Sequence, residues 1–188
     1  KVKKEVNRGY KVIVVVSAMA GVTNNLIDLV KSTSDSPAYS EYDVVLSTGE
    51  QVTSALLAIS LKNLNIKARS WLGWQVPIIS DLSYGKAVIE EIKTDQICEF
   101  LKKNQVAIIS GFQAVTKENR ITTLGRGGSD TSAVAIAAAF SAESCDIYTD
   151  VDGVYTTDPR IVKRAKKLDI ITYEEMLELA SQGAKVLQ

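Results

Sequence analysis

The sequence TLGRGGSD at residues 123–130 leads directly into an alanine-rich segment at residues 131–140, and this junction decides the fold. Its three glycines allow backbone conformations that side chains disfavour, and they let the main chain approach a ligand closely. A helix that follows would direct its unpaired N–H groups and the positive end of its dipole at the loop. The loop also carries a guanidinium group, a hydroxyl and a carboxylate, from Arg126, Ser129 and Asp130. This combination is typical of a binding site for a phosphate or a carboxylate, and the alternative is a strand-to-helix turn with ordinary capping.

The composition does not require a second domain, and it argues against two kinds of partner. A length of 188 residues suffices for one core. The 22 basic residues balance the 22 acidic residues, which argues against nucleic acid or an anionic membrane as a general partner. No run is predicted to span a bilayer, and the charged N-terminal residues 1–11 do not have the pattern of a signal peptide. Cys98 and Cys145 lie in apolar-rich segments, which predicts buried, reduced thiols in a cytoplasmic protein.

The chain contains no histidine. This excludes a nucleophile activated by histidine, and it removes the commonest metal ligand. Any catalysis must therefore depend on lysine, arginine, carboxylates, hydroxyls and backbone amides.

Strands and helices alternate along the predicted secondary structure. The β-branched run at residues 12–16 is typical of a strand buried on both faces. The other predicted strands cover residues 67–71, 106–110 and 146–149. One predicted helix begins at residues 23–25, and three others cover residues 50–63, 94–104 and 131–140. This alternation predicts an α/β fold with a mostly parallel sheet, in which ligands bind beyond the carboxyl ends of the strands.

Four further segments carry candidate functional groups, and each has a plainer interpretation. SAMAGVTN at residues 17–24 is either a loop over a ligand or a simple strand-to-helix connection. STGE at residues 47–50 places a carboxylate where a helix cap is the favoured alternative. TDVDGVYTTDPR at residues 149–160 is either a binding loop or a surface loop. Lys185, after an amphipathic helix, is either functional or merely solvated.

Taken together and in this order, these segments resemble the signatures of the aspartate kinases in the amino acid kinase family, from about residue 11 to the last residue. STGEQ, GFQAV and GAKVL add to the resemblance, and TGE together with LGRGGSD favours aspartate over glutamate, acetylglutamate or UMP as the substrate. The resemblance implies a three-layer α/β sandwich with a mostly parallel central sheet. It also implies ATP-dependent phosphorylation of the side-chain carboxylate of L-aspartate to 4-phospho-L-aspartate, with Mg²⁺ bridging the phosphates and no all-protein metal site.

The resemblance assigns roles on the substrate side of the site. It implies that Arg126 binds the α-carboxylate of aspartate and that Glu50 pairs with the ammonium group. Thr23 and Ser129 would hold the side-chain carboxylate that attacks the phosphate. Asp130 would hold the catalytic lysines in place.

The resemblance also assigns roles on the nucleotide side. It implies that Lys185 stabilises charge on the transferred phosphoryl group. The implied ATP-binding residues are Ser17, Gly21, Gly127, Gly128, Thr149, Asp150, Tyr155 and Arg160.

The chain departs from the family pattern at both ends. We expect residues 1–188 to contain neither the family's KFGGTS segment, which would stand before Lys1, nor its regulatory ACT domains, which would follow Gln188. We therefore expect residues 1–188 to be part of a catalytic domain with little activity alone, from a cytoplasmic homo-oligomer at the head of the lysine, threonine and methionine pathway. Two alternatives remain: a kinase for another amino acid such as glutamate, and a non-catalytic nucleotide-binding or assembly module.

Overall fold

The computed structural model describes residues 1–149, 153–158 and 161–181. The chain divides into two compact units, Lys1–Cys145 and Asp146–Gln188. The second unit contains helix α6 (Tyr173–Ser181). The first unit contains, in chain order, α1 (Val2–Asn7), β1 (Ile13–Val16), α2 (Val22–Thr33), α3 (Tyr39–Asn63), β2 (Ala68–Trp71), β3 (Ile78–Ser80), β4 (Ile89–Ile92), α4 (Asp95–Lys102), β5 (Val106–Ser110), β6 (Gln113–Val115), β7 (Ile121–Thr123) and α5 (Gly128–Ala139).

The three predicted strands β1, β5 and β2 form a parallel sheet in that order. β5 is central, with Ile108 opposite Val14 on one side and opposite Ser70 on the other. All five residues of β5 are buried. β5 is apolar from Val106 to Ile109, a pattern typical of a parallel strand that is covered on both faces.

Helices cover both faces of the parallel sheet and complete a three-layer sandwich. Val106 and Ile108 of β5 lie in one apolar cluster with Ala58 and Leu61 of α3. The alternate residues of β5, such as Ile109, lie in a second cluster that includes Ile97 of α4 and Ile136 of α5. The alternation follows from the two-residue period of a strand.

A second sheet, which the sequence did not predict, has the order β4-β3-β6-β7. β3 pairs parallel with β6, whereas β3–β4 and β6–β7 are antiparallel. Inside this sheet the hydroxyls of Ser80 and Thr122 lie 2.6 Å apart. Its strands are only three or four residues long, too short for a clear alternation of apolar and polar residues. β7 ends at Thr123, immediately before the glycine-rich loop.

Helix α3 begins eleven residues before the predicted start at residue 50. Ser47 and Thr48 resemble the start of a helix in sequence, but their hydroxyls bond back to the carbonyls of Val44 and Val45 at 2.8 and 2.7 Å. Both residues therefore lie inside the helix. The capping interpretation of Glu50 is wrong, because Glu50 lies in the middle of α3.

α3 is long and apolar enough, by length and composition, to cross a membrane, so the prediction that no run has these properties is wrong. In its most apolar window, 39% of the residues are buried inside the protein. Four polar residues of α3 are also buried inside the protein: Asp43, Ser47, Glu50 and Ser54. Apart from Oε2 of Glu50, the polar groups of these side chains bond within the described part of the protein, so α3 is a core helix of the first unit.

Two further predictions about the first unit and its boundary are wrong. Residues 146–149 do not form a strand. Cys145, which precedes this segment, is exposed, and Cys98 is half-buried. The predicted burial of both thiols is therefore not found.

Candidate substrate-binding site

The glycine-rich loop forms a tight turn between β7 and α5. Gly125 and Gly127 have φ values of +76° and +69°, in the left-handed region that favours glycine. α5 begins at Gly128, three residues before the predicted segment at residues 131–140. Arg126 lies between the two left-handed glycines and is exposed to solvent. The predicted turn and helix are confirmed, and the turn directs a cationic side chain into solvent beside the start of a helix.

The first turn of α5 lies against the carboxyl end of the parallel sheet. A Cβ atom at Gly111, which follows β5, would lie 3.0 Å from Oγ of Ser129 and 3.0 Å from Cγ1 of Val15. The N–H of Phe112 donates to Oγ of Ser132 at 3.0 Å. Ser129 thus lies over the ends of β5 and β1, which is the edge where ligands of parallel sheets bind. Asp130 is half-buried in the same helical turn.

Glu50 is a buried carboxylate with one unsatisfied oxygen. The residue is 4% exposed, and the N–H of Ala18 donates to its Oε1 at 3.0 Å. Oε2 is also buried and has no hydrogen-bond partner within the described part of the chain. Burial raises the pKa of Glu50, and the Ala18 N–H opposes this rise. A buried carboxylate oxygen without a donor is costly, and a cationic ligand would relieve that cost.

Ser110 connects Glu50 to the start of α5. The Ser110 hydroxyl, at the end of β5, lies 3.0 Å from Oγ of Ser54 and 3.4 Å from the carbonyl oxygen of Glu50. The next residue, Gly111, contacts Ser129. The middle of α3 and the start of α5 therefore flank the same strand end.

The loop between β1 and α2 lies at this edge as well. A Cβ at Gly49 of α3 would lie 2.9 Å from Cβ of Ala18, so the loop contacts the helix closely. Gly21 has a φ of +80° and precedes α2. Thr23 is half-buried in the first turn of α2, and Ser17 is exposed. The structure thus brings the predicted residues of the first unit to one end of the parallel sheet.

The second unit contains the remaining predicted nucleotide residues. Tyr155 is half-buried and forms an isolated antiparallel bridge with Lys167. The N–H of Leu168 donates to the carbonyl of Val154 at 2.8 Å, which supports this hairpin-like pairing. Thr149 is exposed. Three predicted residues lie outside the described part of the chain: Asp150, Arg160 and Lys185.

Sequence reasoning missed Asp43, a fully buried carboxylate beside the glycine turn. Its Oδ2 accepts from the N–H groups of Gly85 and Thr123, both at 2.9 Å, and its Oδ1 accepts from the Thr123 hydroxyl at 2.7 Å. The available signal was an acidic residue directly before the apolar residues 44–46.

A second overlooked residue, Gln113, fixes α3 against the sheets. Its Nε2 donates to the carbonyl of Ser47 at 3.0 Å, and its Oε1 accepts from the N–H of Gly73 at 3.4 Å. Gln113 lies in the GFQAV segment, but its partners are 66 and 40 residues away in the chain. Local sequence patterns do not reveal such contacts.

Comparison with known proteins identifies the family. The profile of the amino acid kinase family matches residues 1–188. The chain belongs to the amino acid kinase family. It is 56% identical over 189 residues to the aspartokinase of Rickettsia felis, and the alignment covers 99% of this chain and 47% of that protein. The chain spans about half the length of the curated relatives it matches.

Solved structures of aspartate kinases have the same fold. The structure of aspartate kinase from Synechocystis matches with a TM-score of 0.83 and 47% identity, covering 100% of this chain and 31% of that chain. Aspartokinase III of E. coli, solved in complex with aspartate and ADP, matches with a TM-score of 0.77 and 30% identity, covering 100% and 40%. The predicted α/β sandwich and the predicted resemblance to aspartate kinases are therefore confirmed.

Proposed function

We propose that this chain forms the aspartate-binding part of an ATP-dependent aspartate kinase, which converts the side-chain carboxylate of L-aspartate to 4-phospho-L-aspartate. The observation that carries the proposal is the unpaired Oε2 of buried Glu50, at the strand end where Ser129 also lies. The Glu50 carboxylate can accept a cationic group, and Arg126 in the glycine turn can bind an anionic group. Such a site suits a zwitterionic amino acid. The names of the relatives, aspartokinase and aspartate kinase, support the choice of aspartate.

The charges of the site complement those of L-aspartate. Glu50 binds the ammonium group through Oε2, and the ion pair offsets the cost of burying the carboxylate. Arg126 binds the α-carboxylate, because a guanidinium group makes two parallel hydrogen bonds to a carboxylate. Thr23 and Ser129 hold the side-chain carboxylate with their hydroxyls. A dicarboxylate without an ammonium group would leave Glu50 unsatisfied, so the site selects an amino acid.

Phosphoryl transfer to aspartate needs no general base, since the attacking carboxylate is ionised at neutral pH. Its oxygen forms the new bond to the γ-phosphorus of ATP, and ADP leaves with the electrons of the broken P–O bond. The demands on the protein are positioning and neutralisation of charge, so the lack of histidine is no obstacle. The N–H group of Gly127 and the N-terminus of α5, which begins at Gly128, supply fixed positive potential.

The nucleotide side of the proposal rests on the family resemblance. Thr149, Asp150, Tyr155 and Arg160 bind ATP, and Ser17 and Gly21 lie near its phosphates. Lys185 neutralises charge on the transferred group, and Asp130 orients the catalytic lysines. Mg²⁺ would enter the site with ATP and would neutralise part of the negative charge of the phosphates. We infer a homo-oligomeric, cytoplasmic enzyme at the head of the lysine, threonine and methionine pathway, with residues 1–188 as part of its catalytic domain.

A substrate panel tests the proposal in the full-length protein that contains this chain. ADP release with ATP and L-aspartate, L-glutamate or succinate is measured, and hydroxylamine traps the acyl phosphate. We expect acyl phosphate only with aspartate. Glu50→Gln should lower kcat/KM for aspartate by at least about tenfold, the effect of losing one charged hydrogen bond. Glu41→Gln is the matched control, because Glu41 lies on α3 and pairs with Arg120 at the surface.

Other outcomes of the panel have clear meanings. A preference for glutamate would assign the chain to another amino acid kinase. ATP binding without phosphorylation of any of the three substrates would identify a non-catalytic nucleotide-binding module.

A further inference from the structure

Asp43 has the surroundings of a residue that fixes the geometry of its neighbours. It is 0% exposed, and its two oxygens accept three hydrogen bonds, from Gly85 N–H, Thr123 N–H and the Thr123 hydroxyl. All three distances lie between 2.7 and 2.9 Å. The two partner segments are 42 and 80 residues away in the chain, so one carboxylate joins α3 to two separate segments.

Burying a carboxylate costs desolvation free energy, so it is not an efficient way to stabilise a core. Burial raises the pKa of Asp43, and the donors on Gly85 and Thr123 only oppose this effect. Apolar residues of similar size often stabilise a protein as well as or better than buried charged groups do. What a carboxylate provides, and an apolar residue does not, is a fixed position for several donors at once.

The donors held by Asp43 flank the glycine turn on two sides. Thr123 is bound through both its main chain and its side chain, three residues before Arg126. Ala87 N–H donates to the Thr123 carbonyl at 2.9 Å, and the Gly85 carbonyl lies 3.2 Å from the Cβ position of Gly125. The segment at residues 83–87 therefore lies directly against the turn, and Asp43 ties that segment and β7 to the same helix.

We propose that Asp43 is a positioning residue that holds the glycine turn, and with it Arg126, in the orientation that binds the substrate α-carboxylate. The effect on substrate binding rests on the function proposed above, whereas the effect on the turn does not. α3 then contributes to substrate binding twice, directly through Glu50 and indirectly through Asp43. Loosening Asp43 should weaken aspartate binding more than ATP binding, because Arg126 is the side chain of the turn that is proposed to bind the substrate carboxylate.

Two neighbouring threonines of β7 provide the test and its control. Thr123→Val removes the hydroxyl that Asp43 binds, and Thr122→Val removes an equally buried hydroxyl that binds Ser80 at 2.6 Å. Both changes keep the shape of the side chain and break one buried hydrogen bond. Asp43→Asn is the third variant. All are made in the full-length protein, and Thr123→Val keeps the test valid if Asp43→Asn fails to fold.

The first readout compares the change in KM for aspartate with the change in KM for ATP. Thr123→Val should raise KM for aspartate about fivefold to tenfold and raise KM for ATP by a clearly smaller factor. Thr122→Val should lower the thermal midpoint by a similar amount and leave both KM values unchanged. Equal effects of the two variants on KM for aspartate would overturn the proposal, because the role of Asp43 would then be purely structural.

The second readout does not depend on the substrate. Amide hydrogen exchange should be faster at residues 124–129 in Thr123→Val than in Thr122→Val at matched global stability. If exchange at the turn is the same in both variants, Asp43 does not position it. If the wild-type protein fails to phosphorylate aspartate but the turn loosens only in Thr123→Val, the proposed substrate is wrong and the positioning role stands.

Discussion

The main-chain N–H of Ala18 donates to Oε1 of Glu50 at 3.0 Å, across 32 residues of sequence. This bond fixes one oxygen of a buried carboxylate and leaves Oε2 without a partner within the described residues. It also anchors the loop after β1 to the middle of α3. The same side chain thus shapes a ligand loop and keeps one acceptor open, at a cost to the stability of the unliganded protein.

Glu50→Gln should stabilise the unliganded protein while weakening aspartate binding. The pKa of Glu50 is raised above its ordinary value of 4.5, so the folded state holds this proton more tightly than the unfolded state. Stability from this group is therefore highest when it is protonated, and it is lost as the pH rises from 4.5 through the raised pKa. The glutamine side chain of the variant has no charge to bury at any pH. The free energy of unfolding of Glu50→Gln should therefore exceed that of the wild type by an amount that grows with pH, on the order of 1 kcal/mol at pH 8.

Urea unfolding of wild type and Glu50→Gln between pH 4.5 and pH 8 measures this difference. Glu41→Gln, at the exposed end of α3, should show no pH-dependent advantage. Added L-aspartate should raise the stability of the wild type more than that of Glu50→Gln, since only the wild type binds the ammonium group well. A variant that is less stable than the wild type at pH 8 would show that the Glu50 carboxylate is not a net cost.

Arg126→Lys should affect aspartate far more than ATP. Arg126 is exposed between two left-handed glycines, so the change should not disturb the core. Lysine does not form the paired hydrogen bonds that a guanidinium group makes with a carboxylate. We expect kcat/KM for aspartate to fall, by a factor that corresponds to a loss of about 2 kcal/mol or more in transition-state stabilisation. Steady-state kinetics with each substrate varied in turn provide the measurement, and equal losses for both substrates, or none, would count against the assignment.

Gly49→Ala should destabilise the protein although alanine is the better helix former. A Cβ at Gly49 would lie 2.9 Å from Cβ of Ala18 and 3.4 Å from Cγ1 of Val22. The helix propensity gained is about 1 kcal/mol. Overpacking typically costs about 1–3 kcal/mol, so we expect a small net loss and a displaced loop. The double variant Ala18→Gly with Gly49→Ala removes the contact and should recover stability; failure to do so would place the clash elsewhere.

The sequence predicts the parallel sheet because β1 and β5 are apolar runs with no competing pattern. It does not predict the second sheet, whose three- and four-residue strands depend on partners supplied by the rest of the chain. The site divides in the same way. The local sequence predicts the glycine turn with Arg126, because glycine adopts the left-handed φ values of this turn more easily than other residues do.

The roles of Glu50 and Asp43 depend on the folded structure. The local pattern around Glu50 suggests a helix cap, and only the family resemblance pointed to a substrate contact. Asp43 gives almost no local signal, since its partner Thr123 lies 80 residues further along the chain. Contacts of this kind arise from tertiary packing, which overrides local preference.

Tyr155→Ala should weaken ATP binding without a large loss of stability. Tyr155 is half-buried in the second unit, where it bridges to Lys167, and the family resemblance assigns it to the nucleotide. A tyrosine in a packed core would lose about 3–5 kcal/mol on truncation to alanine. We expect the thermal midpoint of the unliganded protein to change little and the Kd for ATP to rise. Tyr173, which is 93% exposed in the same unit, provides the control Tyr173→Ala, and neither its stability nor its affinity should change. Scanning and titration calorimetry of both variants decide the matter: a large drop in unliganded stability with unchanged ATP affinity would make Tyr155 a core residue and remove it from the nucleotide site.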